Sequence, residues 1–288
     1  MQKLKQSRLA SFIIVTLVYV IATVGGIAIY NLINLPWWLS LLIADVFATI
    51  ITFLFSIIFN NASVYDPYWS VQPPIILIAF AIGKNLTALG VLLIIAISYW
   101  AIRLTANWAY TFSNLTHQDW RYTMLNEKTG AFYPIVNFIG IHLVPTLIVY
   151  GCILPAVYAI INNLTANGFS VIFICVSLLA TTLQGVADIQ MQKFRKSACG
   201  GFIRVGLWKY SRHPNYLGEI LMWWGIGLSV TFSAVNCWYL LLGAFLNTIL
   251  FLLVSIPMAD KRQSKKQGFD DYKAQTRMLL PIKKFTKI

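Results

Sequence analysis

The stretch Val71–Gly83, VQPPIILIAFAIG, decides how this chain is folded. It is apolar but short, and it carries two adjacent prolines. If it crosses a bilayer, every later loop lies on one side; if it does not, every later loop lies on the other. The question arises because the chain is mostly apolar: 288 residues, 58% hydrophobic and only 11% charged. The apolar residues fall in runs, roughly 9–30, 36–59, 71–83, 86–104, 134–161, 168–190, 215–232 and 237–257. A hydrocarbon layer ~30 Å thick takes about 20 helical residues to cross. Only helices and closed barrels satisfy the backbone there, and continuous runs lack the alternation of a barrel wall. The expected fold class is all-α, a polytopic transmembrane helical bundle.

Charge decides the status of 71–83. Lys and Arg accumulate in cytoplasmic loops. With eight crossings, one face receives three basic residues before the first run, three in 103–133, six in 193–212 and nine from 261 onward. Only Lys84 lies opposite. Leaving 71–83 out of the membrane scatters these charges. The expectation is therefore eight spans with both termini cytoplasmic, and Pro73 and Pro74 read as a helix start. The first run follows Lys3, Lys5 and Arg8 as a signal peptide would, but no small-residue cleavage site ends it. It reads as a retained first span.

Orientation and attraction to anionic headgroups account for most of the net charge of +13. Nucleic acid is excluded as a partner, because no recognised motif appears and the basic residues border spans. Cys152, Cys175, Cys199 and Cys237 form no CxxC, and no Cys/His cluster has zinc-ligand spacing, so no metal is expected. His142, inside an apolar run, reads as a hydrogen-bonded interior residue. Trp37, Trp38, Trp223 and Trp224 read as interface belts or packing. No repeat is evident. Residues 1–288 form one membrane domain, and composition leaves its oligomeric state open.

The loops on the basic side are more than basic. They read YDPYW (65–69), RLTANWAYTF (103–112), HQDWRY (117–122), ADIQMQKFRK (187–196), KYSRHPNYLGE (209–219) and ADKRQSKKQGFDDYKAQTRMLLP (259–281). Membrane anchoring uses Trp, Tyr, Lys and Arg, but has no need of Asp188, Asn215 or Glu219 at the ends of apolar helices. Ionisable groups at membrane depth are costly and are usually paired or functional. Asp188 and Arg195, seven apart, share one helical face, as do Asn215 and Glu219, four apart. Pro214 suits the first turn of a helix whose free N–H groups, with Arg212 and His213, attract an anion such as a phosphate. The competing reading has Arg212 anchored to lipid phosphate and Glu219 paired with a nearby Lys.

The segment GLWKYSRHPNYLGE (206–219) resembles the signature of the steroid 5-alpha-reductase superfamily, in its bacterial branch of the DUF1295 type. RLTANWAY, HQDWRY, the Asp188-to-Arg195 helix end and the closing YKAQTRMLLP fall in the expected order. The RHPxY element is also shared, more distantly, with isoprenylcysteine methyltransferases. The resemblance implies a bacterial cytoplasmic membrane and an NADPH-dependent reductase acting on the C=C bond of a lipophilic enone. It implies a substrate-side half (1–133) and a cofactor-binding half (134–288). It assigns Asp188, Arg195, Tyr210, Asn215, Glu219, Tyr272 and Arg277 to the cofactor; Arg212 and His213, which replace residues that vary across the superfamily, and Tyr216 are expected beside them, with Asn215 and Glu219 at the nicotinamide end. The stretch GFDDYKAQT reads as a cofactor lid or a solvated amphipathic end.

The chain has no GxGxxG fingerprint and no P-loop, so the nucleotide would lie among helices. Steroid reductases pair a Glu of their N-terminal half with a Tyr, and that Glu motif is missing here. Asp45 and Asp66 are the acids before residue 119. YDPYW instead offers Tyr65, Asp66 and Tyr68 as candidate catalytic groups. Two other readings stay open. One is an S-adenosylmethionine-dependent membrane methyltransferase, although Ala259-Asp260-Lys261-Arg262 stands where that family has an acidic pair. The other is a non-enzymatic lipid-binding protein.

Overall fold

The computed structural model describes residues 2–197 and 200–282. Cys199 and the tail lysines Lys283, Lys284 and Lys287 lie outside the described residues. No strand occurs among those described; the chain is a helical bundle. A short helix α1 (Gln2–Gln6) leads into α2 (Arg8–Leu32) and α3 (Trp37–Ile58). Then come α4 (Tyr68–Ala81), α5 (Ala88–Thr111), α6 (Trp120–Thr129) and α7 (Tyr133–Val136). A π-helical segment, Asn137–Leu143, joins α7 to α8 (Val144–Ile161). The remainder is α9 (Gly168–Lys196), α10 (Pro214–Thr231), α11 (Leu242–Leu250), α12 (Ile256–Gln263) and α13 (Phe269–Gln275).

Six helical segments are long and apolar enough to cross a membrane: Arg8–Leu32, Trp37–Ile58, Ala88–Thr111, Trp120–Ile161, Gly168–Lys196 and Asn236–Gln263. This is an integral membrane protein. The two remaining apolar runs form α4, only 14 residues long, and α10, whose 18 residues include Glu219. Cross-loop hydrogen bonds show that both still pass through the bundle. At one end, Thr87 Oγ1 donates to the Leu164 carbonyl at 2.6 Å, and Asn167 Nδ2 donates to the Phe232 carbonyl at 2.7 Å. At the other, Asn61 Nδ2 donates to the Leu115 carbonyl at 2.8 Å, and Asn114 Nδ2 to the Gln6 carbonyl at 3.2 Å. The Arg262 guanidinium lies 4.2 Å from the Trp120 ring centroid at that same end. The chain therefore makes eight passes, and the basic loops share one face with both ends of the described chain.

The prolines do not start α4 as the sequence led us to expect. The helix begins at Tyr68, because Pro67 takes the preceding position and its carbonyl accepts from Ser70 and Val71 N–H at 3.2 and 3.0 Å. Pro73 and Pro74 sit inside it, where each lacks the N–H that would close a helical turn. Cysteines placed at Thr165 and Gln267, in a background without native cysteines, are expected to label from opposite sides of sealed vesicles. Labelling of both from one side would overturn the eight-pass path.

The site depends on the α9–α10 contact. A Cβ added to Gly218 would lie 2.6 Å from the Ala180 carbonyl oxygen, and one on Gly225 2.8 Å from that of Phe173. Only glycine lets the two backbones approach this closely, as small residues do at membrane helix interfaces. The approach sets Asp188 on α9 beside Asn215 on α10. Around it packs a core containing Trp100, Ile153, Met222 and Trp223. A second core in the N-terminal half includes Val18, Val64, Tyr65 and Tyr68.

Candidate functional site

On the basic face a cavity of about 720 Å³ opens between α9, α10, α12 and α13, with α6 on its side. α9 contributes Asp188 and Arg195, two turns apart on one face. The first turn of α10 contributes Asn215 and Tyr216, and the residues before it Arg212 and His213. Tyr272 on α13 completes the wall. As expected from the sequence, α10 begins at Pro214. The His213 and Tyr216 rings stack at 5.2 Å, 3° from parallel.

Three of the residues expected at the cofactor are not brought to the cavity. Glu219 is 4% exposed and lies beneath the cavity, where it accepts from Trp100 Nε1 at 2.9 Å and from Trp223 Nε1 at 3.0 Å. Four residues along α10 from Asn215 carry it about 6 Å deeper into the bundle. Tyr210 faces outward at 40% exposure, with the Lys209 ammonium 5.7 Å from its ring centroid. The Arg277 side chain is exposed, and its carbonyl accepts from Arg212 N–H at 2.9 Å. The tail therefore joins the site through its backbone, in a parallel bridge between Ser211 and Arg277.

Beneath the cavity, Arg103 from α5 lies between two carboxylates. Its guanidinium is 2.7 Å from Asp188 Oδ2 and 3.7 Å from Glu219 Oε2, and it also donates to Gln184 Oε1. At the rim, Asp260 on α12 holds two groups at once. Arg212 Nη2 is 3.2 Å from Asp260 Oδ2, and His213 Nε2 is 2.9 Å from Asp260 Oδ1. Neither Arg103 nor Asp260 was among the residues picked from sequence. A lone Arg at the end of an apolar run, and a lone acid among basic residues, were the available signals. Trp223, read as belt or packing, is a hydrogen-bond donor to Glu219. His142 is interior as expected, with Nδ1 3.0 Å from the Asn137 carbonyl.

Three buried polar atoms of the cavity wall have no protein partner: Asn215 Oδ1, Arg212 Nε and Gln263 Oε1. Buried polar atoms are rarely left unpaired, so they mark where a ligand or water belongs. The wall carries Arg121, Arg195, Arg212, Arg262 and Lys266 against Asp119, Asp188 and Asp260. The balance is positive. Among the described residues no group of three His, Cys, Asp or Glu side chains is placed to hold a metal ion.

The structure sets Asp66 apart from Tyr65 and Tyr68, whose rings lie 5.4 Å from each other. Asp66 sits behind the cavity wall, accepting from Tyr122 Oη at 2.6 Å on the turn of α6 that carries Arg121 into the cavity. Burial raises its carboxyl to about 6, against the opposing pull of Arg121. Tyr65 and Tyr68 point instead into the N-terminal half, 2% and 4% exposed. Tyr68 Oη is 3.2 Å from Asp45 Oδ1, and Tyr65 Oη is 2.8 Å from Thr146 Oγ1. Thr146 Oγ1 in turn lies 3.0 Å from Thr49 Oγ1. Asp45 Oδ2 is buried without a partner. An apolar groove of about 500 Å³ runs beside this cluster between α2, α4 and α5, lined by Tyr19, Pro67, Val71 and Trp108 among others. The Tyr19 ring meets that of Tyr68 edge-on at 5.7 Å.

The family described as "Protein of unknown function (DUF1295)", associated with the steroid 5-alpha-reductase-like superfamily, matches residues 52–276. An uncharacterized protein of Schizosaccharomyces pombe is 23% identical over 192 residues, covering 57% of this chain and 56% of that protein. The chain thus spans little more than half the length of the curated relative it matches. No solved structure gives a significant match.

Proposed function

We propose that this chain, which belongs to the DUF1295 family, is a membrane-embedded NADPH-dependent reductase of the C=C bond of a lipophilic enone. The observation that carries the reading is the positive cavity with three buried, unpartnered polar atoms in its wall. About 720 Å³ lies within the range of cofactor sites. NADPH brings a diphosphate and a further phosphate, all anionic. S-adenosylmethionine has no phosphate, and its sulfonium and ammonium outweigh its one carboxylate, so a positive wall suits it less. A protein that only holds the hydrocarbon part of a lipid has no use for unpartnered polar atoms in a cavity on the basic face.

When bound, NADPH supplies the hydride. The protein's tasks are to hold, orient and polarise. Arg212 and the first-turn N–H groups of α10 would bind the diphosphate, since a helix N-terminus favours anions. Asn215 Oδ1 would accept from the nicotinamide carboxamide. Asp188 stands beside Asn215 and is itself held by Arg103. In the N-terminal half, the Tyr68 hydroxyl, which donates to Asp45 Oδ1 in the free protein, would turn its one proton to the substrate carbonyl oxygen. One such donor is typically worth about 3 kcal/mol in the transition state. The apolar groove beside Tyr19 would take the hydrocarbon part of the substrate from the bilayer. The basic face would then lie in the cytoplasm of a bacterium, where the nucleotide is.

Calorimetry on the detergent-purified chain tests the reading. NADPH is expected to bind and S-adenosylmethionine to bind far more weakly or not at all. Binding of the methyl donor alone would replace the reductase by a methyltransferase.

A further inference from the structure

The cations of the cavity are not equivalent. Arg212 is paired with Asp260, and Arg121 with Asp119 at 2.8 Å. Arg195, Arg262 and Lys266 have no ion pair among the described residues, yet all three line the cavity. They are solvent-exposed, whereas Asp188 and Asn215 are half-buried and His213 is buried. The unpaired cations therefore form the mouth, and the neutral and acidic groups form the floor. They repel one another, and the Lys266 ammonium is held below its ordinary value first by partial desolvation at the rim, then by Arg262 and Arg195. Two of them are also held in place. The Arg262 guanidinium lies 4.2 Å from the Trp120 ring centroid, and stacking of this kind leaves its edge N–H groups free for a forked contact. Lys266 Nζ donates to the Gly201 carbonyl at 2.5 Å, which anchors its ammonium at the rim.

From this arrangement we infer that Arg262, Lys266 and Arg195 form a phosphomonoester subsite that receives the 2′-phosphate of the cofactor's adenosine and makes the protein select NADPH over NADH. The inference rests on the reductase reading above. A phosphomonoester carries nearly two charges at neutral pH and three acceptor oxygens, a match for several converging donors. Orientation follows from the same asymmetry. The reactive end of the dinucleotide must go toward the bilayer, where a lipophilic substrate lies, which leaves the adenosine phosphate at the mouth. Exposed cations at the mouth lie off the hydrophobic cores, so replacing them leaves folding intact.

Calorimetry on the full chain with NADPH, NADH, 2′,5′-ADP and 5′-ADP tests it. The wild-type protein is expected to bind NADPH at least about tenfold more tightly than NADH, the effect of one hydrogen bond to a charged group. It should likewise prefer 2′,5′-ADP to 5′-ADP. The double variant Arg262→Ala/Lys266→Ala should lose that preference while its affinity for NADH stays unchanged. Arg262→Lys, which keeps the charge and loses the fork, should fall between. Equal wild-type affinity for NADPH and NADH would overturn the subsite and leave the reductase reading standing, as would an equal loss of both nucleotides in the double variant. Binding of neither nucleotide would remove the reductase reading itself. Competition of short-chain phosphatidic acid with 2′,5′-ADP, with no NADPH preference, would assign the cations to a lipid headgroup and overturn the inference.

Discussion

Replacing Arg103 by alanine is expected to destabilise the protein by about 3–5 kcal/mol, the usual effect of removing one partner from a buried ion pair. Arg103 lies between Asp188 and Glu219, and the three side chains are only 12%, 14% and 6% exposed. Without the guanidinium, two carboxylates face each other with the Gln184 and Asn215 amides and two indole N–H groups as their remaining polar neighbours. The damage joins the two halves of the chain, since α5 supplies the cation and α9 and α10 supply the acids. Glu219→Gln gives a contrasting expectation. The amide oxygen can still accept from Trp100 and Trp223, and Arg103 keeps Asp188, so the loss should be about 1 kcal/mol, that of one ordinary hydrogen bond. Thermal unfolding of the purified variants in one detergent checks both. An Arg103→Ala protein that melts with the wild type would show that the clamp contributes nothing.

That contrast also shows where the sequence could be read and where it could not. Spacing along a single helix is legible: it puts Asp188 with Arg195 and Asn215 with Glu219, and each pair does lie along one face. Charge partition is legible too, because each loop must lie on one side or the other, and it gave 71–83 its crossing. What spacing cannot reveal is depth. Asn215 and Glu219 share a face, yet one lines the cavity and the other is sealed beneath it by Trp100, a residue of another helix 119 positions away. Tyr68 and Asp45 face the same difficulty. The loop YDPYW was visible as polar, but its tyrosines turn inward to a stripe on α3 (Asp45, Thr49, Thr52 and Ser56), whose helical spacing hid among apolar neighbours. A tail that adds a backbone bridge at Arg277 leaves no side-chain signature at all.

Asp260→Ala is expected to release that tail. Asp260 is 8% exposed, and its two oxygens are divided between Arg212 and His213. Arg212 in turn donates from Nη1 to the Thr276 carbonyl at 2.6 Å, while its own N–H reaches the Arg277 carbonyl. The carboxylate therefore aims a guanidinium that fastens the chain end over the cavity. Loss of the acid leaves a largely buried cation unpaired, a penalty of about 3–5 kcal/mol. The penalty can be relieved by local opening of 264–278, because the eight passes do not depend on the tail, and low-stability segments open before the core does. Trypsin should then cut at Lys273 or Arg277 at least tenfold faster, since a shift of 1.4 kcal/mol in the opening equilibrium already gives that factor. NADPH affinity should fall by a similar factor, because Arg212 and Tyr272 lose their positions in the wall. The melting temperature of the bundle should move little, unlike that of Arg103→Ala. Asp260→Asn keeps an acceptor for His213 and should give intermediate cleavage. Cleavage of Asp260→Ala at the wild-type rate, with unchanged nucleotide affinity, would mean that the Ser211–Arg277 bridge holds the tail without the clamp.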